Sequence, residues 1–125
     1  MKSTKQFLMA MACLLIATLA HGQVPQLFNY QGIARDVKGN PLSNQKMSLK
    51  LAVMPTYDAT IAEYEEIQLI STNEFGLYTL QIGNGTAVSG QMKSVKWETG
   101  NKYIKVAIDP TGGSNYVDAG TNQLL

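Results

Sequence analysis

Thirteen residues, Asn73-Glu74-Phe75-Gly76-Leu77-Tyr78-Thr79-Leu80-Gln81-Ile82-Gly83-Asn84-Gly85, limit the fold more than any other stretch. Tyr78, Leu80 and Ile82 recur every second residue and share one face of an extended chain, while Leu77, Thr79 and Gln81 share the other. One face is apolar and the other mostly polar, the pattern of a half-buried antiparallel strand. Gly76 at one end and Gly83-Asn84-Gly85 at the other punctuate it as turns. The stretch is expected to be a central strand of a β-sandwich.

The amino-terminal residues read as a leader. Lys2 and Lys5 precede an apolar run, Phe7–Leu19, and Ala20-His21-Gly22 supplies small residues where a signal peptidase reads, which places cleavage before Gln23. Cys13 follows Ala10-Met11-Ala12, a poor lipobox, so lipidation is not expected. The domain division is therefore 1–22, signal peptide, and 23–125, one β domain.

Removing the leader takes Lys2 and Lys5 and no acid, so eight basic residues face nine acidic ones in the remainder. That balance gives no electrostatic footprint for nucleic acid. The leader also holds the only cysteine, Cys13, and the only histidine, His21. Chemistry that needs a thiolate or an imidazole is excluded from residues 23–125, and the domain has to stand on core packing without a disulfide.

Along the chain, Phe28 and Tyr30 alternate with polar residues in a first strand, and Gly32 marks a bulge or a close approach of another backbone. Asp36-Val37-Lys38-Gly39-Asn40-Pro41 is a turn. Met47, Leu49, Leu51 and Val53 form the cleanest alternation in the chain, ended by Pro55. Between Thr60 and Thr72 the apolar parity changes from Ala62 and Tyr64 to Ile67 and Leu69, which predicts a bent or bulged strand or two short ones, with a helix over Ala62–Leu69, favoured by Glu63, Glu65 and Glu66, as the alternative. Thr86–Asn101 reads as a loop with one helical turn near Met92–Val95, and Trp97 as a plug at one end of the sandwich. Ile104, Val106 and Ile108 mark another strand, and Tyr116-Val117 with Gln123-Leu124-Leu125 a last edge strand broken at Gly120. The predicted core is Phe28, Tyr30, Met47, Leu49, Leu51, Val53, Tyr64, Leu69, Tyr78, Leu80, Ile82, Ile104, Val106 and Ile108. Within it, Leu80→Ala is expected to cost about 2–5 kcal/mol.

Two stretches carry a family resemblance. One is Phe28-Asn29-Tyr30-Gln31-Gly32-Ile33-Ala34-Arg35-Asp36 with Gly39-Asn40-Pro41-Leu42; the other is Thr72-Asn73-Glu74-Phe75-Gly76-Leu77-Tyr78-Thr79-Leu80-Gln81-Ile82-Gly83-Asn84-Gly85. With Trp97, Lys102-Tyr103-Ile104-Lys105-Val106 and Gly120-Thr121-Asn122-Gln123-Leu124-Leu125, the chain resembles the amino-terminal β-sandwich domain of secreted and cell-surface proteins of Bacteroidota. Such a domain usually heads a longer protein, before tail-fibre-like, collagen-like or sorting-signal segments. The resemblance implies a structural module and supplies no catalytic or ligand residues. In that family the Gln-Leu-Leu ending usually runs on into a further segment, so a truncated or naturally short member is expected here. The Asp36–Leu42 turn with Thr72–Tyr78 is also similar, at the level of fold, to transthyretin-like and carboxypeptidase-regulatory-like sandwiches.

Four groups invite a functional reading. Asp109, Asn115 and Asp118 surround a glycine-rich loop with oxygen ligands suited to calcium, but match no known cation-loop spacing and read better as turn formers. Two of Glu63, Glu65 and Glu66 could supply the paired carboxylates of a glycosidase, but all three are expected on a solvated face. Trp97, Tyr103 and Tyr116 are candidate glycan-stacking residues, weighed against a packing role. Asn84-Gly85-Thr86 fits a glycosylation acceptor and reads most simply as a turn.

The expectation is an all-β chain: a single antiparallel β-sandwich, immunoglobulin-like or transthyretin-like, with about six or seven strands. It is expected to be an exported, non-enzymatic structural or display module, periplasmic, at the cell surface or extracellular. No catalytic residues, cofactor or metal are expected. The alternative is a glycan- or protein-binding module of adhesin type, with a surface polysaccharide or another surface protein as its partner.

Overall fold

The structure, a computed structural model, describes residues 2–17 and 27–124. The Ala20-His21-Gly22 cleavage motif and Leu125 lie outside the described residues. Helix α1 (Lys2–Ala17) is built from good helix formers with no glycine or proline. Its described side chains, including Phe7, Leu8, Met9 and Met11, are exposed. No helix among the described residues is long and apolar enough to cross a membrane.

Seven strands follow: β1 (Phe28–Ile33), β2 (Lys46–Met54), β3 (Tyr64–Ser71), β4 (Leu77–Ile82), β5 (Thr86–Gly90), β6 (Tyr103–Asp109) and β7 (Val117–Gln123). They form two antiparallel sheets, β1-β4 and β5-β3-β2-β6-β7. The all-β sandwich is therefore present, and one expectation about it changes. β4 is not central: it belongs to the two-stranded sheet, and β2 is the middle of the larger one. The sequence of β2 shows why. Met47, Leu49, Leu51 and Val53 face the smaller sheet, while Ser48, Ala52 and Met54 on the opposite face are buried as well. A strand with neighbours on both edges and cover on both faces tolerates little polar surface.

β1 and β4 lie over the larger sheet and close the core. Tyr78 and Ile82 are buried, while Phe28, Tyr30 and Leu80 are half-buried against them. Gly32 pairs with Tyr78, and a Cβ there would run into the end of the Tyr78 ring. The close approach at Gly32 is thus that of a side chain, not of another backbone as expected. Trp97 packs edge-on to Phe28 at 5.9 Å and 89°, the end plug expected of it. Met92, which opens the 3-10 turn Met92–Ser94, and Val95, which follows it, complete that end.

Three further expectations are corrected. Thr86–Gly90 is strand, not loop; its residues are all exposed, so burial left no periodic trace in them. β3 does not switch parity: Tyr64, Glu66, Gln68 and Ile70 point inward, and Leu69, expected in the core, is 77% exposed. The irregularity lies in its pairing with β5, where the register shifts between Glu65 and Glu66. The last strand is continuous; a register shift in its pairing with β6, beside Gly120, replaces the break.

Candidate functional site

The three candidate stacking rings fall in separate places. Trp97 is held by Phe28. Tyr103 lies edge-on to Tyr57 at 5.9 Å, beside Met54 on β2. Tyr116 shares a 2.8 Å hydrogen bond with Ser48 Oγ and carries Lys50 Nζ 4.9 Å above its ring. Ser48 and Met54 are six residues apart on one strand, about 20 Å, so no single sugar spans Tyr116 and Tyr103. Tyr116, Lys50, Glu65 and Lys105 border a hollow of about 280 Å³ on the outer face of the larger sheet.

The acidic loop residues are consumed by the chain itself. Asp109 is buried and accepts hydrogen bonds from Thr111 Oγ1 (2.6 Å), Thr111 N (2.9 Å) and Asn115 N (2.9 Å). The Thr111 hydroxyl, then those backbone donors, hold its carboxyl below the usual carboxylate range. Asp118 turns elsewhere, accepting from Gly120 N at 2.9 Å and lying 3.8 Å from Lys105 Nζ. Among the described residues no group of three or more His, Cys, Asp or Glu is placed to hold a metal ion.

The glutamates do not form a solvated face. Glu66 is fully buried. Its carboxylate accepts from Tyr64 Oη (2.8 Å), Gln68 Nε2 (2.9 Å), Gly83 N (3.0 and 3.1 Å to its two oxygens) and Gly85 N (3.0 Å). It therefore ties β3 to the Gly83-Asn84-Gly85 turn, where the chain leaves the small sheet for the large one. Burial, then the bond to Glu66, raises the Tyr64 phenol above its ordinary value. Glu63 pairs instead with the buried Lys102, whose Nζ lies 3.0 and 3.1 Å from its oxygens.

The Asn73–Gly76 turn begins a hairpin that does not continue. Gly76 N donates to Asn73 O, Gly76 takes φ +76°, and Asn73 N donates to Leu77 O at 2.9 Å. This is a three-residue hairpin loop with glycine at its left-handed position. Continuing its register pairs Ser71 with Thr79 and Leu69 with Gln81, yet β3 and β4 enter different sheets and form no ladder. A cleft of about 770 Å³ opens between them, with Tyr30, Ile70 and Leu80 among the residues lining it. No charged residue lines it; the rest of the wall is Asn29, Gln31, Gln68, Leu69, Ser71, Thr79, Gln81 and Asn84. At its far end the Gln68 side chain crosses and donates to Gln81 O at 2.7 Å. Of these residues the sequence singles out Asn84 alone, as a glycosylation-acceptor match read as a turn and not as part of a cleft. Alternation reads the same whether a strand edge is paired or open, and only the Asn73–Gly76 turn signalled that β3 and β4 start side by side.

No curated protein and no solved structure matches the chain. A family profile, described as a domain of unknown function (DUF8740), matches residues 29–121, from the second residue of β1 into β7. With most of its length covered by that profile, the chain belongs to the DUF8740 family.

Proposed function

We propose that this chain is an exported, non-enzymatic module with a structural or display role in a secreted or cell-surface protein of Bacteroidota. The observation that carries the reading is α1. It is an apolar helix with lysines only at its start, whose Phe7, Leu8, Met9 and Met11 are left in solvent. An apolar segment whose described side chains stay in solvent suits a leader that is handed to an export machinery and removed. The buried charged groups support the structural role: Glu66, Asp109 and Lys102 are each engaged in holding loops or strands. The test is the amino terminus of the protein recovered from producing cells. Export with processing expects Gln23 as the first residue; an intact Met1 on a cytosolic protein overturns the reading.

A second reading, a binding module of adhesin type, is favoured by one observation, the unfilled cleft between β3 and β4. On that reading binding belongs to strand edges and not to the separated rings of Trp97, Tyr103 and Tyr116.

A further inference from the structure

We infer that the cleft between β3 and β4 is a docking site for an extended segment of another polypeptide, which inserts as a strand between the two edges. The inference rests on the binding reading of that cleft and not on export. It comes from the direction of backbone groups. In an antiparallel strand the N–H and C=O of one residue point to the same side, and those of the next residue point to the other. Thr72 N donates to Gln45 O, on the β2 side of β3, so Leu69 and Ser71 direct both backbone groups away from β2. β5 pairs with β3 only as far as Ile67 and leaves that part of the edge open. Across the cleft, Leu77 O accepts from Asn73 N and Gln81 O accepts from Gln68 Nε2, so Leu77, Thr79 and Gln81 direct theirs away from β1. Two strand edges therefore face one another. Leu77 is engaged at both its backbone groups by Asn73, and Gln81 O by Gln68 and Asn84, so the edge groups left without a partner among the described residues are those of Leu69 and Ser71 on β3, and of Thr79 with the Gln81 N–H on β4. Beyond the turn only a side chain, that of Gln68, bridges the two edges.

The chemistry of the occupant follows from the walls. Neighbouring strands lie about 4.7–4.9 Å apart, so an inserted strand reaches both edges only where they stand about two such spacings apart. The turn end is closed to one spacing by the Asn73 N–Leu77 O bond, whereas the far end is spanned by a glutamine side chain and not by backbone bonds, so the inserted strand belongs toward that far end. Tyr30, Ile70 and Leu80 form the apolar part of the wall, and a charge buried against an uncharged wall would be left unpaired. The segment is therefore uncharged, with apolar residues at the alternate positions that face inward. Affinity comes from main-chain hydrogen bonds and selectivity from those inward side chains, as in other strand-addition complexes.

The test uses the full-length chain and a phage-displayed library of random heptapeptides. Enriched peptides are expected to be uncharged and to alternate apolar with polar residues. Thr79→Pro deletes the central N–H at an open edge, where proline is tolerated, and is expected to weaken binding about tenfold or more. Thr79→Ala keeps the backbone and is expected to bind within about twofold of the parent, because no side-chain hydrogen bond is lost from the ladder. Should Thr79→Pro fail to fold, amide exchange on the parent decides. Added peptide is expected to slow exchange at Leu69, Ser71, Thr79 and Gln81, and unchanged exchange there overturns the inference. Equal binding to Thr79→Pro overturns it too, as does self-association that protects the same amides without peptide, which would assign the cleft to a second copy. If a neutral oligosaccharide and no peptide protects those amides, the strand inference fails while the binding reading stands. If nothing occupies the cleft, both fail.

Discussion

Two carboxylates three residues apart leave water by different routes. Glu63 meets a cation: Lys102 Nζ, almost wholly buried, sits 3.0 Å from one oxygen, while a fifth of the Glu63 side chain still reaches solvent. Glu66, with no solvent exposure, meets only neutral donors, two of them backbone N–H groups of the turn after β4. The difference teaches what each is for. An ion pair links two side chains that can be exchanged together for apolar ones. A carboxylate that collects backbone N–H groups fixes the path of the main chain, and no apolar residue can replace the acceptors it supplies.

The largest expected effect tests the second half of that contrast. Glu66→Ala leaves Tyr64 Oη and the N–H groups of Gly83 and Gly85 without a partner in a closed space, and is expected to cost about 3–5 kcal/mol in thermal or denaturant unfolding. Glu66→Gln is the sharper variant. One of its two terminal groups is itself a donor and faces donors, so a loss of about 2–4 kcal/mol is expected despite the matching shape. A near-neutral Glu66→Gln would show that the turn holds itself and would erase the distinction between the two sites.

Next comes the ion pair. Lys102→Met alone strands Glu63 and is expected to cost about 2 kcal/mol, less than a fully enclosed pair because Glu63 can turn to water. The double change Glu63→Leu with Lys102→Met is expected to return to within about 1 kcal/mol of the parent. If the double change is as damaging as Glu66→Ala, the pair also fixes the chain path and the contrast fails.

A third carboxylate extends the comparison along the pH axis. Asp109 resembles Glu66 in collecting backbone donors, and its carboxyl is held below the ordinary value. A group whose folded value is depressed contributes stability above its unfolded value and loses it as pH falls through the folded one. The parent is therefore expected to lose stability below about pH 4, and Asp109→Asn to be less stable near neutrality with a flatter acid limb. The opposite sign holds at the alkaline end. Burial raises the phenols of Tyr64 and Tyr78, so their contribution is complete below about pH 10 and is lost as pH rises further. Ultraviolet titration of the six tyrosines is expected to show a late group that ionises only with unfolding.

Much of the architecture was legible because burial writes a period into the chain. Tyr78, Leu80 and Ile82 share the face expected of them, and so do Met47, Leu49, Leu51 and Val53. Leu80, however, is only half-buried beside the cleft, so the cost of Leu80→Ala belongs at the lower end of about 2–5 kcal/mol, below that of Leu49 or Leu51. What was not legible falls under two causes. An exposed edge such as Thr86–Gly90 carries no burial signal, and an open edge such as Thr79 is indistinguishable from a paired one until the partner strand is placed. Glu66 is the third case: a charged residue on an inward parity looks like the outward one, and its four donors come from residues two to nineteen positions away.

The smallest expected effect follows from that misplaced parity. Read as a core residue, Leu69 would cost about 2 kcal/mol or more on conversion to a polar residue. Its side chain is 77% exposed on the outer face of β3, while Ile70 packs against the core. Leu69→Thr, which keeps a good strand former, is expected to change stability by no more than about 0.5 kcal/mol, and Ile70→Thr by clearly more. Equal losses would mean that β3 shifts by one residue and turns Glu66 outward, since a one-residue slip moves every side chain to the other face. The pair of variants thus probes the same node as Glu66→Gln from the other side: the inward glutamate and the outward leucine are one choice of register, held by the two N–H groups of the Gly83–Gly85 turn.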